Sequence, residues 1–168
     1  EILHSVLMTS PGHANALNLL GRVAMDEGEL DNAGTLLAKA LEAQPDNAQT
    51  RTNLGYHALM VEAPDSAEAY FDQALEADRQ SVAAFAGKAH ALAHQAAFDS
   101  AFLHYRRLLD FGIEWPSVYA GMLECARNLH IDRADPALAR DAIRLLRRDD
   151  LPHQELADFV TALLRQQY

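Results

Sequence analysis

One interval, of about 34 residues, recurs along most of the chain and limits the folds that it can adopt. Three columns of residues show this repeat interval, the first of mostly small residues, the second of alanines and the third of bulky apolar or aromatic residues. They are Gly21, Gly55, Ala89 and Leu123; Ala33, Ala67 and Ala101; and Leu37, Phe71 and Tyr105. A fixed period of this length is typical of a helix–turn–helix unit that stacks on copies of itself. The sequence therefore predicts a repeat array.

Each unit contains two stretches with helical periodicity. In the first stretch Leu17, Leu20, Gly21 and Ala24 are spaced i, i+3, i+4 and i+7, which places them on one helical face. A second stretch begins after the turn "DEGELD" and ends before Pro45, whose ring cannot continue a helix. We expect small residues such as Gly21 and Ala33 where the two helices of a pair cross, and Leu37, Phe71 and Tyr105 between successive units.

The columns resemble the tetratricopeptide repeat (TPR) family. The segments "LNLLGRVAMDEGELDNAGTLLAKALEAQPD", "RTNLGYHALMVEAPDSAEAYFDQALEAD" and, with more divergence, "FAGKAHALAHQAAFDSAFLHYRRLLDFG" carry the resemblance. It implies an all-α fold, a right-handed α-solenoid of antiparallel helix pairs that form a superhelix. Leu17 and Arg51 stand where the family usually has an aromatic residue, and Lys88 replaces an apolar one. The Lys88 stem is expected either to lie along the groove wall with its head in water or to mark a local polar site.

In this register we predict that the chain forms a single array of unequal parts. We predict the second helix of a truncated repeat at 1–12, repeat 1 at 14–47, repeat 2 at 48–81 and repeat 3 at 82–115. An irregular repeat 4 is predicted at 116–150 and a terminal or capping helix at 153–168. Since the first helix pair is incomplete, we expect the chain to be a piece of a longer protein.

The resemblance implies a concave groove, lined by the first helix of each pair, that binds a peptide or protein segment. Counting from the buried columns, we expect polar, aromatic and methionine side chains in this groove. They are Asn15, Asn18, Arg22, Met25, Gln49, Thr52, Asn53, Tyr56, Met60, His90, His94, Glu124, Arg127 and Asn128. Asparagine and glutamine can both donate to and accept from a peptide backbone. The alternative is an ordinary solvated helix face.

Two kinds of relative offer a more specific comparison through Asn53. Some TPR proteins hold the C-terminal carboxylate of heat-shock chaperones with lysine, asparagine and arginine. Asn53 fits one of those places, but Ala83 and Gly87 stand where cations are needed, so we reject that interpretation. O-GlcNAc transferases show a ladder of groove asparagines, which Leu19, Gly87 and Gly121 interrupt here.

The chain shows little that indicates catalysis. His90 and His94 are spaced i, i+4, as in some zinc sites, but such a site needs a third ligand, for which His57 and Glu124 are the candidates. Two exposed histidines or a pH-sensitive contact are the alternatives. Cys125 follows an apolar column and is expected to be buried rather than nucleophilic. We predict no cofactor, no metal, no catalytic residue and no enzymatic activity of this chain.

Charge narrows the classes of partner. The formal net charge is −10, which does not suit the phosphates of nucleic acid or an anionic membrane surface. No apolar run is long enough for a membrane helix, so we predict no membrane insertion. A single cysteine cannot form an internal disulfide, which favours the cytoplasm and leaves the periplasm open.

Three functions fit these features. The first is a scaffold or adaptor module that binds a protein or peptide in its groove. The second is the substrate-recognition arm of a larger enzyme, a glycosyl-, sulfo- or methyltransferase or an oxygenase, whose catalytic domain is absent here. The third is an architectural spacer or a self-associating array.

Overall fold

The computed structural model describes residues 2–129, which form eight α-helices. The helices are α1 Ile2–Thr9, α2 Ala14–Asp26, α3 Leu30–Ala43, α4 Ala48–Met60, α5 Pro64–Ala77, α6 Val82–His94, α7 Phe98–Asp110 and α8 Pro116–Asn128. The predicted part of repeat 4 at 130–150 and the predicted terminal helix at 153–168 lie outside the described residues. None of the described helices is long and apolar enough to cross a membrane.

The same repeat interval marks where the first helices start. The side chains of His13, Asn47 and Ser81 cap α2, α4 and α6. Each accepts a hydrogen bond from the backbone N–H three residues later, at 3.2, 3.0 and 3.3 Å. Such a bond satisfies one of the free donors of the first helical turn, so the caps fix the phase of each first helix.

The turns within the helix pairs repeat as well. Gly28, Glu62 and Ala96 follow the first helices at the repeat interval, and all three have positive φ, at 79°, 58° and 58°. This left-handed conformation ends a helix and reverses the chain. Glycine adopts it freely, whereas a side chain is strained there. The turn after α2 is therefore relaxed, and the two later turns hold a residue that the conformation disfavours.

The described residues divide into two compact units, with the division between Ala96 and Ala97. In the first unit α2 packs on α3, α4 packs on α3 and α5, and α5 packs on α6. The first helices α2, α4 and α6 also touch in sequence. The core therefore follows the chain from one helix pair to the next, as the repeat predicts.

Bulky residues of the second helices fill the space beside glycines of the first helices. Leu37 and Phe71 are fully buried. A Cβ added at Gly21 would lie 2.7 Å from Leu37 Cγ, and one at Gly55 would lie 2.6 Å from Phe71 Cε1. The prediction that Gly21 marks a close crossing with α3 is confirmed, although the nearest atoms belong to Leu37 rather than to Ala33.

The second unit contains α7 and α8, which pack on each other. Tyr105 of α7 is fully buried, and its ring lies where a Cβ of Gly121 would be. Leu108, Val118 and Met122 are buried as well. Here the glycine lies on the helix that follows the aromatic residue, whereas Gly21 and Gly55 lie on the helix that precedes Leu37 and Phe71.

Candidate functional site

A buried pair of asparagines joins the first two repeats on the side predicted to form the groove. Asn53 Nδ2 of α4 donates to Asn18 Oδ1 of α2 at 2.9 Å, and both residues are only 6% exposed. The pair brings two predicted groove residues together and holds α2 and α4 side by side. Because the two amide groups are buried and bonded to each other, they are less available to a ligand than exposed amides would be.

Tyr56 joins α4 to α6 on the same side. Its hydroxyl donates to the carbonyl oxygen of Ala83 at 2.9 Å, and its ring meets the Phe71 ring edge-on at 5.1 Å between centroids. Burial raises the pKa of the Tyr56 hydroxyl, so the group stays a protonated donor. Tyr56 therefore contributes first to the alignment of α4 and α6.

A third contact ties α4 to the preceding second helix. His57 Nε2 lies 2.8 Å from the carbonyl oxygen of Leu30 at the start of α3. The imidazole fits there because position 34 is a glycine, where an added Cβ would come within 3.0 Å of His57 Cε1. His57, considered as a third metal ligand from the sequence, thus has one ring nitrogen engaged in a contact between helices.

Position 87 explains the interruption of the asparagine column. Gly87 stands one repeat interval after Asn53, and a Cβ there would collide with the Phe71 ring. Gly121 stands in the same relation to Tyr105. In both cases an aromatic residue of the preceding second helix occupies the space that an asparagine would need, so packing excludes a longer column of amides.

Asn18, Asn53 and Tyr56 define the side of α2, α4 and α6 that we call the first-helix face. Helical periodicity and the repeat interval add further residues of these helices to that side. The members left exposed or half-buried are Asn15, Leu19, Arg22 and Asp26 of α2, Gln49 and Met60 of α4, and His90 and His94 of α6. These side chains of the face are accessible to solvent.

The structure revises two groove predictions and adds a residue. Met25 is 8% exposed and packs with Leu37 and Leu54, so it belongs to the core instead of the groove. Thr52 is buried and its hydroxyl donates to the Ala48 carbonyl oxygen within α4. Leu19, not predicted as a groove residue, is 44% exposed, and its place one repeat interval before Asn53 was the available signal.

The predicted groove residues of α8 lie in the second unit. Glu124, Arg127 and Asn128 are exposed, and Asn128 Nδ2 donates to the Glu124 carbonyl oxygen at 2.9 Å. They are described within that unit alone, so their membership of a common groove stays a prediction.

His90 and His94 share one side of α6 but differ in environment. His90 is half-buried and His94 is exposed. Burial and the neighbouring His94 lower the pKa of His90, which favours the neutral ring. Among residues 2–129, no group of three or more histidine, cysteine or acidic side chains could hold a metal ion.

Lys88 takes the second of its two expected roles, a local polar site. Its ammonium lies 2.6 Å from Asp72 Oδ1 and 3.7 Å from Glu68 Oε1, both on α5. Gln95 Nε2 donates to the other oxygen of Glu68 at 2.9 Å and to the Pro64 carbonyl at 3.3 Å. The cluster neutralises the Lys88 charge and stabilises the packing of α6 on α5.

Cys125 of α8 is fully buried. Burial, with a smaller effect of the Glu124 carboxylate, raises the pKa of its thiol to about 11. A nucleophilic cysteine needs the opposite shift, because the thiolate is the reactive form. The prediction that Cys125 is buried is confirmed, and its environment does not suit catalysis.

Comparison with known proteins agrees with this architecture. Two family models, both described as tetratricopeptide repeat, match residues 12–80 and 52–117. No curated protein matches the chain.

Several solved structures share the fold. YrrB, described as a TPR protein with an unusual peptide-binding site, is 15% identical with a TM-score of 0.78, over 99% of this chain and 84% of that chain. PilF of Pseudomonas aeruginosa is 19% identical with a TM-score of 0.76, over 95% and 71%. The first TPR of Spaghetti (RPAP3), solved with the HSP90 peptide SRMEEVD, is 20% identical with a TM-score of 0.65, over 70% and 93%. With its repeating columns, its paired helices and these matches, the chain belongs to the tetratricopeptide repeat family.

Proposed function

We propose that this chain is a non-catalytic interaction module that binds an extended peptide or protein segment on the first-helix face. The observation that carries the proposal is the way α4 is fastened on both sides. Asn53 bonds to Asn18 of α2, and Tyr56 bonds to the Ala83 carbonyl of α6. These contacts form the face before any ligand binds, so the protein loses little conformational entropy on binding.

The size of the face suits a short extended segment. Neighbouring helices lie about 8–10 Å apart, so three first helices span roughly 20 Å. An extended peptide rises about 3.3 Å per residue, and about six residues therefore cross the face. Asn15, Arg22 and Gln49 are exposed there and can bond to the backbone or side chains of such a segment.

Family members of known structure support a peptide ligand without identifying it. The RPAP3 structure contains an HSP90 peptide, and YrrB is described as having a peptide-binding site. This chain has Ala83 and Gly87 where a carboxylate-binding relative needs cations. We therefore propose a ligand other than an acidic chaperone terminus. A scaffold or adaptor role follows from this proposal, and no observation on the described residues favours the enzyme-arm alternative over it.

A selection of short random peptides displayed on phage tests the proposal. The bait is the protein, and the matched variant carries Arg22→Ala and Gln49→Ala, two exposed residues of the first-helix face. The control carries Arg79→Ala and Gln80→Ala, which are exposed in the turn after α5. We expect enriched peptides that bind the protein and the control but bind the face variant more weakly. Enrichment of no peptide, or equal binding to all three proteins, contradicts a groove on this face.

A further inference from the structure

Acidic side chains are distributed unevenly over the first unit. Residues 1–96 contain 13 acidic and 5 basic side chains. Only one of the acids, Asp26, lies on α2, α4 or α6, at the last residue of α2. The other twelve belong to α3, α5, the turns and the first residue of the chain. The surroundings of the first-helix face are thus strongly acidic, while the face itself carries one carboxylate at its edge.

The basic residues of the same three helices leave the face close to neutral. Arg51 Nη2 lies 3.6 Å from Asp46 Oδ1, and its Nη1 donates to the Gln73 carbonyl at 3.3 Å. Lys88 is paired with Asp72 and Glu68. Arg22 is exposed on the face, one helical turn from Asp26, so the two opposite charges of the face lie close together on α2.

Two aliphatic side chains are the largest exposed apolar groups of the first-helix face. Leu19 of α2 is 44% exposed and Met60 of α4 is 47% exposed. Leu19 is one residue from Asn18, and Met60 is seven residues, about two helical turns, from Asn53. The buried amides of Asn18 and Asn53 bond to each other. The exposed groups of the first-helix face that can bind a ligand are therefore mainly apolar side chains and neutral hydrogen-bonding side chains.

From this distribution of charge we infer that the ligand of the first-helix face is an uncharged extended segment that places aliphatic side chains on Leu19 and Met60. The inference rests on the proposed function. An acidic segment is repelled by the carboxylates around the face. A basic segment is drawn to those same carboxylates on α3, α5 and the turns, away from the face. An uncharged segment experiences neither effect and gains from covering Leu19 and Met60.

Three synthetic peptides with one common core of leucine and methionine separate these possibilities. Their flanks are serine and glutamine, lysine, or glutamate, and their affinities are measured by fluorescence anisotropy at low and high salt. The variants are Leu19→Glu and Met60→Glu on the first-helix face. The control is Leu103→Glu on α7, which is 64% exposed and lies in the other unit. Circular dichroism of each variant checks that it is folded.

We expect the uncharged peptide to bind independently of salt and to lose about tenfold in affinity with either face variant, but not with Leu103→Glu. The lysine peptide is expected to bind only at low salt and with no response to the face variants. Tightest binding of the glutamate peptide, or an uncharged peptide unaffected by Leu19→Glu and Met60→Glu, overturns the inference. If the phage selection yields face-dependent peptides that are mainly charged, the inference fails while the proposed function stands.

Discussion

Two junctions of the first unit solve the same packing problem with different residues. Where α3 meets its neighbours, Leu37 packs against Gly21, and Asn53 of α4 bonds to Asn18. Where α5 meets α4 and α6, the larger Phe71 replaces leucine and lies between Gly55 and Gly87. The aromatic ring thus excludes a side chain at position 87, which aligns with Asn53. The bulk of one buried residue decides whether the first-helix face carries an amide at the next repeat.

The largest effect on stability is expected when the asparagine of the first junction is introduced into the second. Gly87→Asn places the amide of the first junction beside Phe71, and we expect a loss of about 3 kcal/mol in the free energy of unfolding because the side chain collides with the ring. Adding Phe71→Leu makes room, so the double variant is expected to be more stable than Gly87→Asn alone. Urea unfolding of both single variants and the double variant measures the coupling. Additive losses would show that the two positions are independent.

Overpacking of the first junction tests whether Leu37 is held as tightly as Phe71. Gly21→Leu introduces a side chain whose Cβ already lies 2.7 Å from Leu37 Cγ. We expect a destabilisation of roughly 1–3 kcal/mol, measured by urea unfolding, with Gly12→Leu as the control because nothing lies within 4 Å of a Cβ there. An increase in stability from Gly21→Leu would contradict the proposed role of this glycine.

Removal of the amide from the first junction tests what the asparagine pair contributes. Asn53→Ala leaves Asn18 buried without its donor, and we expect a loss of about 1–2 kcal/mol. Asn18→Ala combined with Asn53→Ala removes both groups and is expected to cost less than the sum of the single changes. If Asn53→Ala leaves the unfolding midpoint unchanged, the pair does not stabilise the junction.

The turns of the two helix pairs offer a smaller test. Gly28 and Glu62 share the left-handed conformation, and Glu62 is strained there because it has a side chain. We expect Glu62→Gly to raise the stability by about 0.5 kcal/mol and Gly28→Ala to lower it by about 1 kcal/mol, both in thermal unfolding. A lower melting temperature for Glu62→Gly would show that the Glu62 side chain stabilises the protein by more than the backbone strain costs.

The second junction also carries a titratable side chain on the face. The pKa of His90 is lowered in the folded protein by burial and by His94. As pH falls below about 6.5, the ordinary pKa, the unfolded chain binds a proton more readily than the folded protein does, so stability is lost with acidification. We expect a smaller loss between pH 7.5 and 5.5 in His90→Gln than in the unchanged protein. Equal losses in urea unfolding would show that His90 does not contribute.

Much of the fold could be predicted because the repeat shows in helical periodicity and in columns of residues at a fixed interval. The columns of Gly21, Ala33 and Leu37 give the helix pairs, and the structure buries all three. The predicted site was harder to derive. Counting along a helix gives the side on which Asn18, Asn53 and Tyr56 lie, but it does not show that Asn53 and Tyr56 bond across to α2 and α6. The prediction that Met25 lies in the groove was wrong, because its side chain packs in the core with Leu37 and Leu54.

The sequence by itself determined the period, the helix starts and the family, because caps, turns and apolar columns act within a few residues of each other. Only the tertiary structure decided which polar side chains of the first-helix face remain available. Asn53 finds its partner 35 residues away, and Tyr56 finds its partner 27 residues away in the next repeat. Those pairs form only when the repeats stack, because each joins residues of different repeats. Asn18 and Asn53 are therefore buried against each other, while Asn15, Arg22 and Gln49 stay exposed on the same face.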